Sequence, residues 1–301
     1  MMRATHRRDR GIALIQVLLV TGIIGLLMLQ MGLTARDQVA RAQALADRAE
    51  LQLAAQSREA AMLYSLLTEP MAQAPESENP YAAAWNFQGE PFVVDGITFS
   101  IQDESGRMRL PDDSGDPFEQ LLLALEVEPT RARQLALELM TAQGTGSALP
   151  ELGEEGEARE TGPAARYPFQ DLGQLEQLPG MDPELYRRLK PLLTLYPTPG
   201  FNPTTAPAAL LRAQMTKSQA GGVTDAREGG ELDDLALWKL TGFQADETTV
   251  LAPGPAVSLR LDMSRGEARL ERTTTYVVRP YSAEPLAIWQ RLSGAEQDDE
   301  R

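Results

Sequence analysis

The sequence predicts an α+β fold. One long N-terminal helix packs on a small antiparallel sheet, and a large all-helical domain is inserted into that sheet. Three observations carry this. A charge-free apolar run near the N-terminus passes without a break into an amphipathic helical pattern. A hairpin signal stands at residues 92–102. Strand character returns only after residue 256, with helical segments filling the interval.

The N-terminal element begins with a basic leader. Arg3, Arg7, Arg8 and Arg10 stand against Asp9, a net of +3 over residues 1–11. From Ile12 to Leu33 there is no charged residue, and 22 residues of helix span about 33 Å, enough to cross a bilayer core. Gln16, Thr21 and Gln30 are its polar members, and Gly22, Gly25 and Gly32 suit close packing of membrane helices. Positive-inside logic keeps the leader in the cytoplasm and sends the remainder across. No small-residue cleavage site follows the apolar run, so it reads as a retained anchor rather than an ordinary secretory signal.

The helix continues. Val39, Ala42, Ala46, Ala49, Leu53, Ala60, Leu63 and Leu67 follow steps of three and four, with charges on the other faces and Pro70 ending the pattern. Membrane and amphipathic parts together make one helix of about 58 residues, roughly 87 Å long. The alanine-rich stripe is expected to pack closely under the sheet; a coiled-coil stalk is the other reading of the same spacing.

Residues 71–91 read as a loop. Asp95-Gly96 is a two-residue hairpin turn between strands at Phe92–Val94 and Ile97–Gln102. Asp103 to Leu110 reads as another turn with a short strand. Later strands are expected at Ala256–Met263 and Ala268–Val278. Between them, Pro117–Glu126 and Pro129–Thr141 form two amphipathic helices, and Gly144–Arg166 has too little to bury and reads as a disordered loop. Pro168–Met181 with Pro183–Leu189 reads as a helix–turn–helix hairpin. A helix at Ala208–Met215, a linker at Ser218–Glu231 and a short helix at Leu232–Leu240 complete the insertion.

Composition removes most catalytic readings. The chain has 301 residues, a formal charge of −15, no cysteine, and one histidine, His6, inside the leader. Thiolate and histidine chemistry are therefore excluded from the rest of the chain, and so are the usual zinc sites. The acidic balance disfavours nucleic acid as a partner. Leu178-Pro179-Gly180-Met181 does look like a helix-hairpin-helix turn, but Asp182 stands where a phosphate would need a glycine. Asp113-Ser114-Gly115 has the letters of an aspartic-protease loop without a second copy or apolar flanks, and reads as an acidic helix cap.

A basic leader, Gly11, and an apolar helix starting at Ile12 resemble the class III signal of type IV pilins and type II secretion pseudopilins. The resemblance implies cleavage by prepilin peptidase between Gly11 and Ile12. The fifth residue after the cleavage glycine is glutamate in most pilins, and here it is Gln16. Within the resemblance, the K-type minor pseudopilin is the member that lacks this glutamate. A buried carboxylate needs a charged partner, and a subunit at the tip has no neighbour ahead to supply one. Further landmarks fall in the family's order. They are Asp103-Glu104-Ser105-Gly106 before a short strand, Pro179-Gly180 with Leu185, Tyr186 and Leu189, and Asn202-Pro203-Thr204-Thr205-Ala206-Pro207. Thr204 replaces the usual asparagine. The sequence is similar to the K-type minor pseudopilin of type II secretion.

That resemblance implies a pilin-like fold with a SAM-like inserted domain, and a structural rather than enzymatic role at the tip of the pseudopilus, initiating assembly for export across the outer membrane. The implied partners are the minor pseudopilins of the I, J and H types, the major pseudopilin, the inner-membrane assembly platform and prepilin peptidase. The expected organisation is a leader at 1–11 (removed), a transmembrane helix at 12–33, its amphipathic continuation at 34–69, a sheet domain from 70–111 and 250–292, the insertion at 112–249, and an acidic tail at 293–301. No cofactor is required; calcium is the one candidate, with Asp112, Asp113 and Asp116 as oxygen donors. The alternatives are a minor pilin of a type IV pilus or competence system, and a membrane-anchored periplasmic binding module on an uncleaved anchor.

Overall fold

The computed structural model describes residues 9–110, 115–143, 169–198, 200–242, 249–266 and 268–293. Most of the leader, the loop expected at 144–166 and the tail from residue 294 lie outside the described residues. The chain forms two compact units. The first is the N-terminal helix as far as Arg58 with Met263–Leu270, and the second is Glu59–Asp262 with the chain from Glu271 onward.

In the first unit, α1 (Asp9–Thr68) has the length and apolar composition of a membrane-crossing helix. From Leu14 to Glu50 every side chain is exposed except Asp47. Arg265 reaches Asp47 and Glu50 at 3.7 and 2.5 Å. Burial on α1 begins at Leu51 and follows Leu51, Ala55, Glu59, Met62 and Leu66.

This is not the stripe that periodicity singles out. Val39, Ala42, Ala46, Ala49, Leu53 and Ala60 are exposed, and Leu63 and Leu67 are only half-buried. Leu53 lies two residues beyond Leu51, about 200° round the helix, so the two stripes face roughly opposite ways. The buried stripe hides from a hydrophobicity pattern because two residues on that side are polar. Glu59 accepts hydrogen bonds from Tyr276 and from Arg272 Nη1 (3.0 Å), and Ser65 is bonded to Asn79.

In the second unit a short helix, α2 (Pro80–Ala84), stands in the expected loop. Asn79 caps it, accepting from Tyr81 N at 3.0 Å, with proline at its first position. β1 (Gln88–Val94) and β2 (Ile97–Asp103) form the expected hairpin. Asp95 and Gly96 both have positive φ, 51° and 76°, which the tight turn requires. Phe92 lies opposite Phe99 with their rings stacked at 5.9 Å. A single 3-10 turn, Glu104–Gly106, leads to β3 (Met108–Arg109).

The inserted helices follow as α3 (Asp116–Ala124) and α4 (Pro129–Gln143). Leu172–Gln177, expected as an α-helix, is a 3-10 helix started by Asp171, which accepts from Gly173 N. After the turn at Gly180 comes α5 (Pro183–Leu189). A two-residue strand, β4 (Leu193–Thr194), pairs in parallel with β3, so the insertion is tied at its base by a small ladder as well as by helices. α6 (Ala208–Gln214) completes a core of Phe118, Leu121, Leu135, Leu139, Leu189 and Leu210.

Another expectation is overturned. Ser218–Glu231 is not a linker: α7 (Lys217–Glu228) occupies it, and α8 (Asp234–Thr241) follows. Gly221-Gly222 lowers helix propensity there. A capping box between Thr216 and Gln219 starts the helix nonetheless, and Ala220 and Val223 bury against Leu211 and Leu237.

The sheet resumes with β5 (Ala256–Arg265) and β6 (Ala268–Val278), and ends with β7 (Leu286–Ser293). β7 has no alternating pattern in sequence because Ala287, Ile288 and Trp289 are all exposed. The strand order is β1-β2-β5-β6-β7. β2 and β5 are antiparallel neighbours, from Thr98↔Asp262 to Asp103↔Val257. The insertion therefore leaves and re-enters the sheet at adjacent points, which is how so long a segment is accommodated without breaking the ladder.

Candidate functional site

The motif residues converge where the insertion joins the sheet. Asp103 is fully buried and its carboxylate accepts four hydrogen bonds. Oδ1 receives Ser105 N (3.0 Å) and Gly254 N (3.1 Å), and Oδ2 receives Asn202 Nδ2 (3.0 Å) and Thr205 Oγ1 (2.8 Å). Gln102 Nε2 donates to the carbonyls of Asp103 (2.8 Å) and Thr205 (3.0 Å), and Asn202 N to that of Ser105 (2.8 Å). Burial pushes the Asp103 carboxyl up from its ordinary pKa, and the four donors partly offset this.

Two glycines permit the approach. A Cβ on Gly106 would lie 2.6 Å from the Thr205 carbonyl oxygen, and one on Gly254 would lie 2.4 Å from Ser105 Oγ. Glu104, also buried, accepts from Arg107 Nη1 (2.9 Å) and from Ser258 on β5, whose hydroxyl meets Thr275 on β6 at 2.7 Å. Thr204 turns its hydroxyl onto Asn202 Oδ1 (2.7 Å) and the Leu251 carbonyl (3.2 Å). Ala206 is buried, its carbonyl accepting from Arg227 Nη1 (2.7 Å), and Pro207 precedes α6.

Other candidates lie elsewhere. Gly11 and Ile12 are in the helical backbone of α1, and Gln16 is on its exposed surface. Pro179 and Gly180 form the turn before α5, with Gly180 at φ 85°. Arg131 on α4 grips that turn, donating to the Gly180 carbonyl (2.8 Å) and to Asp182 Oδ2 (2.6 Å), while Asp182 Oδ1 accepts from Leu185 N (2.8 Å). The amide of Leu185 at the start of α5 is thus taken by the chain's own carboxylate. Asp116 is the first residue of α3; Asp112 and Asp113 lie outside the described residues, as does Ser114 of the protease-like triplet. Among the described residues no three acidic or histidine side chains cluster as a metal would require.

Residues 102–198 match the family model of type II secretion system protein K, beginning one residue before the buried carboxylate. Over that stretch the chain is similar to type II secretion system protein K. The fold agrees: it is similar to a chain in the crystal structure of the GspK-GspI-GspJ complex from the enterotoxigenic Escherichia coli type 2 secretion system. The identity is 19%, the TM-score is 0.50, and the match covers 87% of this chain and 99% of that one. No curated protein sequence matches it.

The junction is a buried polar network. Asp103 is closed to solvent, and each of its oxygens accepts two hydrogen bonds. What it does is fasten residues 102–106, 202–206 and 254 together. Gln102, Ser258, Thr275 and Gly254 share that work, and sequence reasoning missed them because single polar residues in strands, and a lone glycine ahead of one, carry no local pattern. On α1, Val39, Ala42, Ala46, Ala49 and Leu53 form an exposed apolar seam at alternating three- and four-residue steps.

Proposed function

We propose that this chain is a minor pseudopilin that sits at the tip of the type II secretion pseudopilus and initiates its assembly for export across the outer membrane. In this reading the chain is held in the inner membrane by Ile12–Leu33, with the leader cytoplasmic and the bulk periplasmic, and prepilin peptidase cuts after Gly11. The observation that carries it is the exposed seam from Val39 to Leu53. An apolar stripe that the chain leaves uncovered, on the helix that continues out of the apolar span, is suited to receive the helix of another anchored subunit.

Gln16 supports the tip, since no subunit lies ahead to pair with a glutamate there. The helical insertion supports it too, being a bulk that a packed helical filament would exclude. The similar GspK is solved with GspI and GspJ, and partners of those types, with an H-type subunit, the major pseudopilin and the assembly platform, are proposed for this chain. The role is structural: cysteine is absent and the one histidine lies in the leader. Calcium at Asp112, Asp113 and Asp116 is a separate proposal that rests only on the oxygen donors of that loop.

The test is the N-terminal sequence of protein recovered from membranes, with and without the host's prepilin peptidase. The expected result is a mature chain starting at Ile12 only when the peptidase is present. A chain that keeps its leader in both strains overturns the reading.

A further inference from the structure

The β5–β6 hairpin outruns the strand beside it. Pairing of β2 with β5 begins at Thr98↔Asp262, and β5 continues to Arg265. The tip, Met263–Leu270, belongs with α1 in the first unit. Arg265 Nη2 stands 2.5 Å from Glu50 Oε2 and Arg265 Nε 3.7 Å from Asp47 Oδ1. Asp47 and Glu50 are three residues apart on the helix, so both carboxylates lie on one side of it. The turn is pressed close: Gly266 has φ 57°, and a Cβ there would lie 3.3 Å from Asp47 Oδ2. Asp47 is the one half-buried side chain from Leu14 to Glu50, all the others being exposed, so this grip is where the outer helix meets the rest of the first unit.

Both partners of the tighter pair are more than half exposed, at 56% and 55%. Exposed ion pairs are individually weak and screened by salt, so the grip holds without being permanent. We propose that the hairpin tip is a releasable ionic strap on α1: Arg265, closed on Asp47 and Glu50, holds helix residues 44–54 against local opening and frees them when the pairs are screened or displaced. Asp47 and Glu50 alternate with Ala46 and Ala49, so the strap sets how rigidly the seam is presented. That consequence rests on the seam being the docking face; the strap itself does not.

The experiment is amide hydrogen exchange on the full chain in detergent micelles, which requires no partner. Arg265→Ala is expected to speed exchange at residues 44–54 by about three- to tenfold while amides of β2 stay as in wild type. Wild type at ~1 M salt, where the screening length falls to ~3 Å, should show the same rise. Exchanging the charges, Arg265→Glu with Glu50→Arg, should restore most of the protection. Unchanged exchange at 44–54 in Arg265→Ala overturns the strap. So does an equal rise in β2, which would make the tip part of general stability, and so does failure of the exchanged pair to recover.

Discussion

The base of the insertion buries polar side chains and leaves none of the Asp103 oxygens open, whereas the outer half of α1 exposes apolar side chains and leaves them uncovered. Each inverts the usual rule that apolar groups go inside. The inversion is stable at the junction because every charge finds donors within the same chain: Ser105, Asn202, Thr205 and Gly254 around Asp103, and Arg107 and Ser258 around Glu104. On α1 it leaves an unmet demand, since Val39, Leu45 and Leu53 remain two-thirds exposed. One region is complete in the monomer. In the proposed reading the other is completed by a second helix against it.

The largest effect should come from opening the complete region. Asp103→Ala leaves four donors facing a void and is expected to cost roughly 3 kcal/mol, read as a lowered melting temperature of the full chain in detergent. Gly106→Ala should approach this, because its Cβ cannot stand 2.6 Å from the Thr205 carbonyl without moving residues 202–206. The carboxyl also predicts a pH dependence. Its pKa is raised by burial, so the folded chain holds a proton that the unfolded chain has released. The associated stability is present at acid pH and is lost as pH rises through the raised value. The gap in melting temperature between wild type and Asp103→Asn should widen as pH falls through that window.

Much of the architecture was legible, and the reasons are local. Asp95-Gly96 announces its hairpin because only certain residues accept two consecutive positive φ values. The stretch from Ile12 to Leu33 announces itself because a run without charge has few other uses. The Asp103, Gly106, Asn202 and Thr205 motifs could be recognised by resemblance, but nothing in their spacing says that a carboxylate at 103 will meet an amide at 202. That meeting depends on β2 and β5 being neighbours. α7 was missed because its capping box outweighs two glycines, and β7 because a strand exposed on both faces has no period. The α1 stripe is the most instructive case. Its spacing was read correctly and its partner was not, because the face that is buried contains Glu59 and Ser65, whose cost is met by Tyr276, Arg272 and Asn79.

That buried face offers a smaller and more specific test. Tyr276 donates to Glu59, and burial with this neighbour pushes its pKa up to about 12. Tyr276→Phe removes one hydrogen bond to a charged group and should cost about 1–2 kcal/mol near neutral pH. The folded chain keeps the phenol proton after the unfolded chain has lost it. Wild type should therefore lose stability between its unfolded tyrosine pKa and about 12, and Tyr276→Phe should show a flatter alkaline limb in the same melts.

The smallest effect on the monomer should come from the seam, and this is what separates the two regions most sharply. Ala46→Glu places a carboxylate in the middle of the exposed stripe, where it touches solvent and disturbs no packing. Stability of the isolated chain should change by less than about 0.5 kcal/mol. A helix docked on that stripe would have to bury the new charge without a partner, so association with the partner subunits proposed for this chain should be lost. Crosslinking in membranes between a cysteine placed at Ala42 and the partner subunits measures this directly, with Ala46→Glu compared against the parent. Loss of crosslinks with an unchanged melt is the signature of a surface whose completion lies in another molecule. Equal loss of both would return the stripe to the chain's own fold and erase the contrast with Asp103.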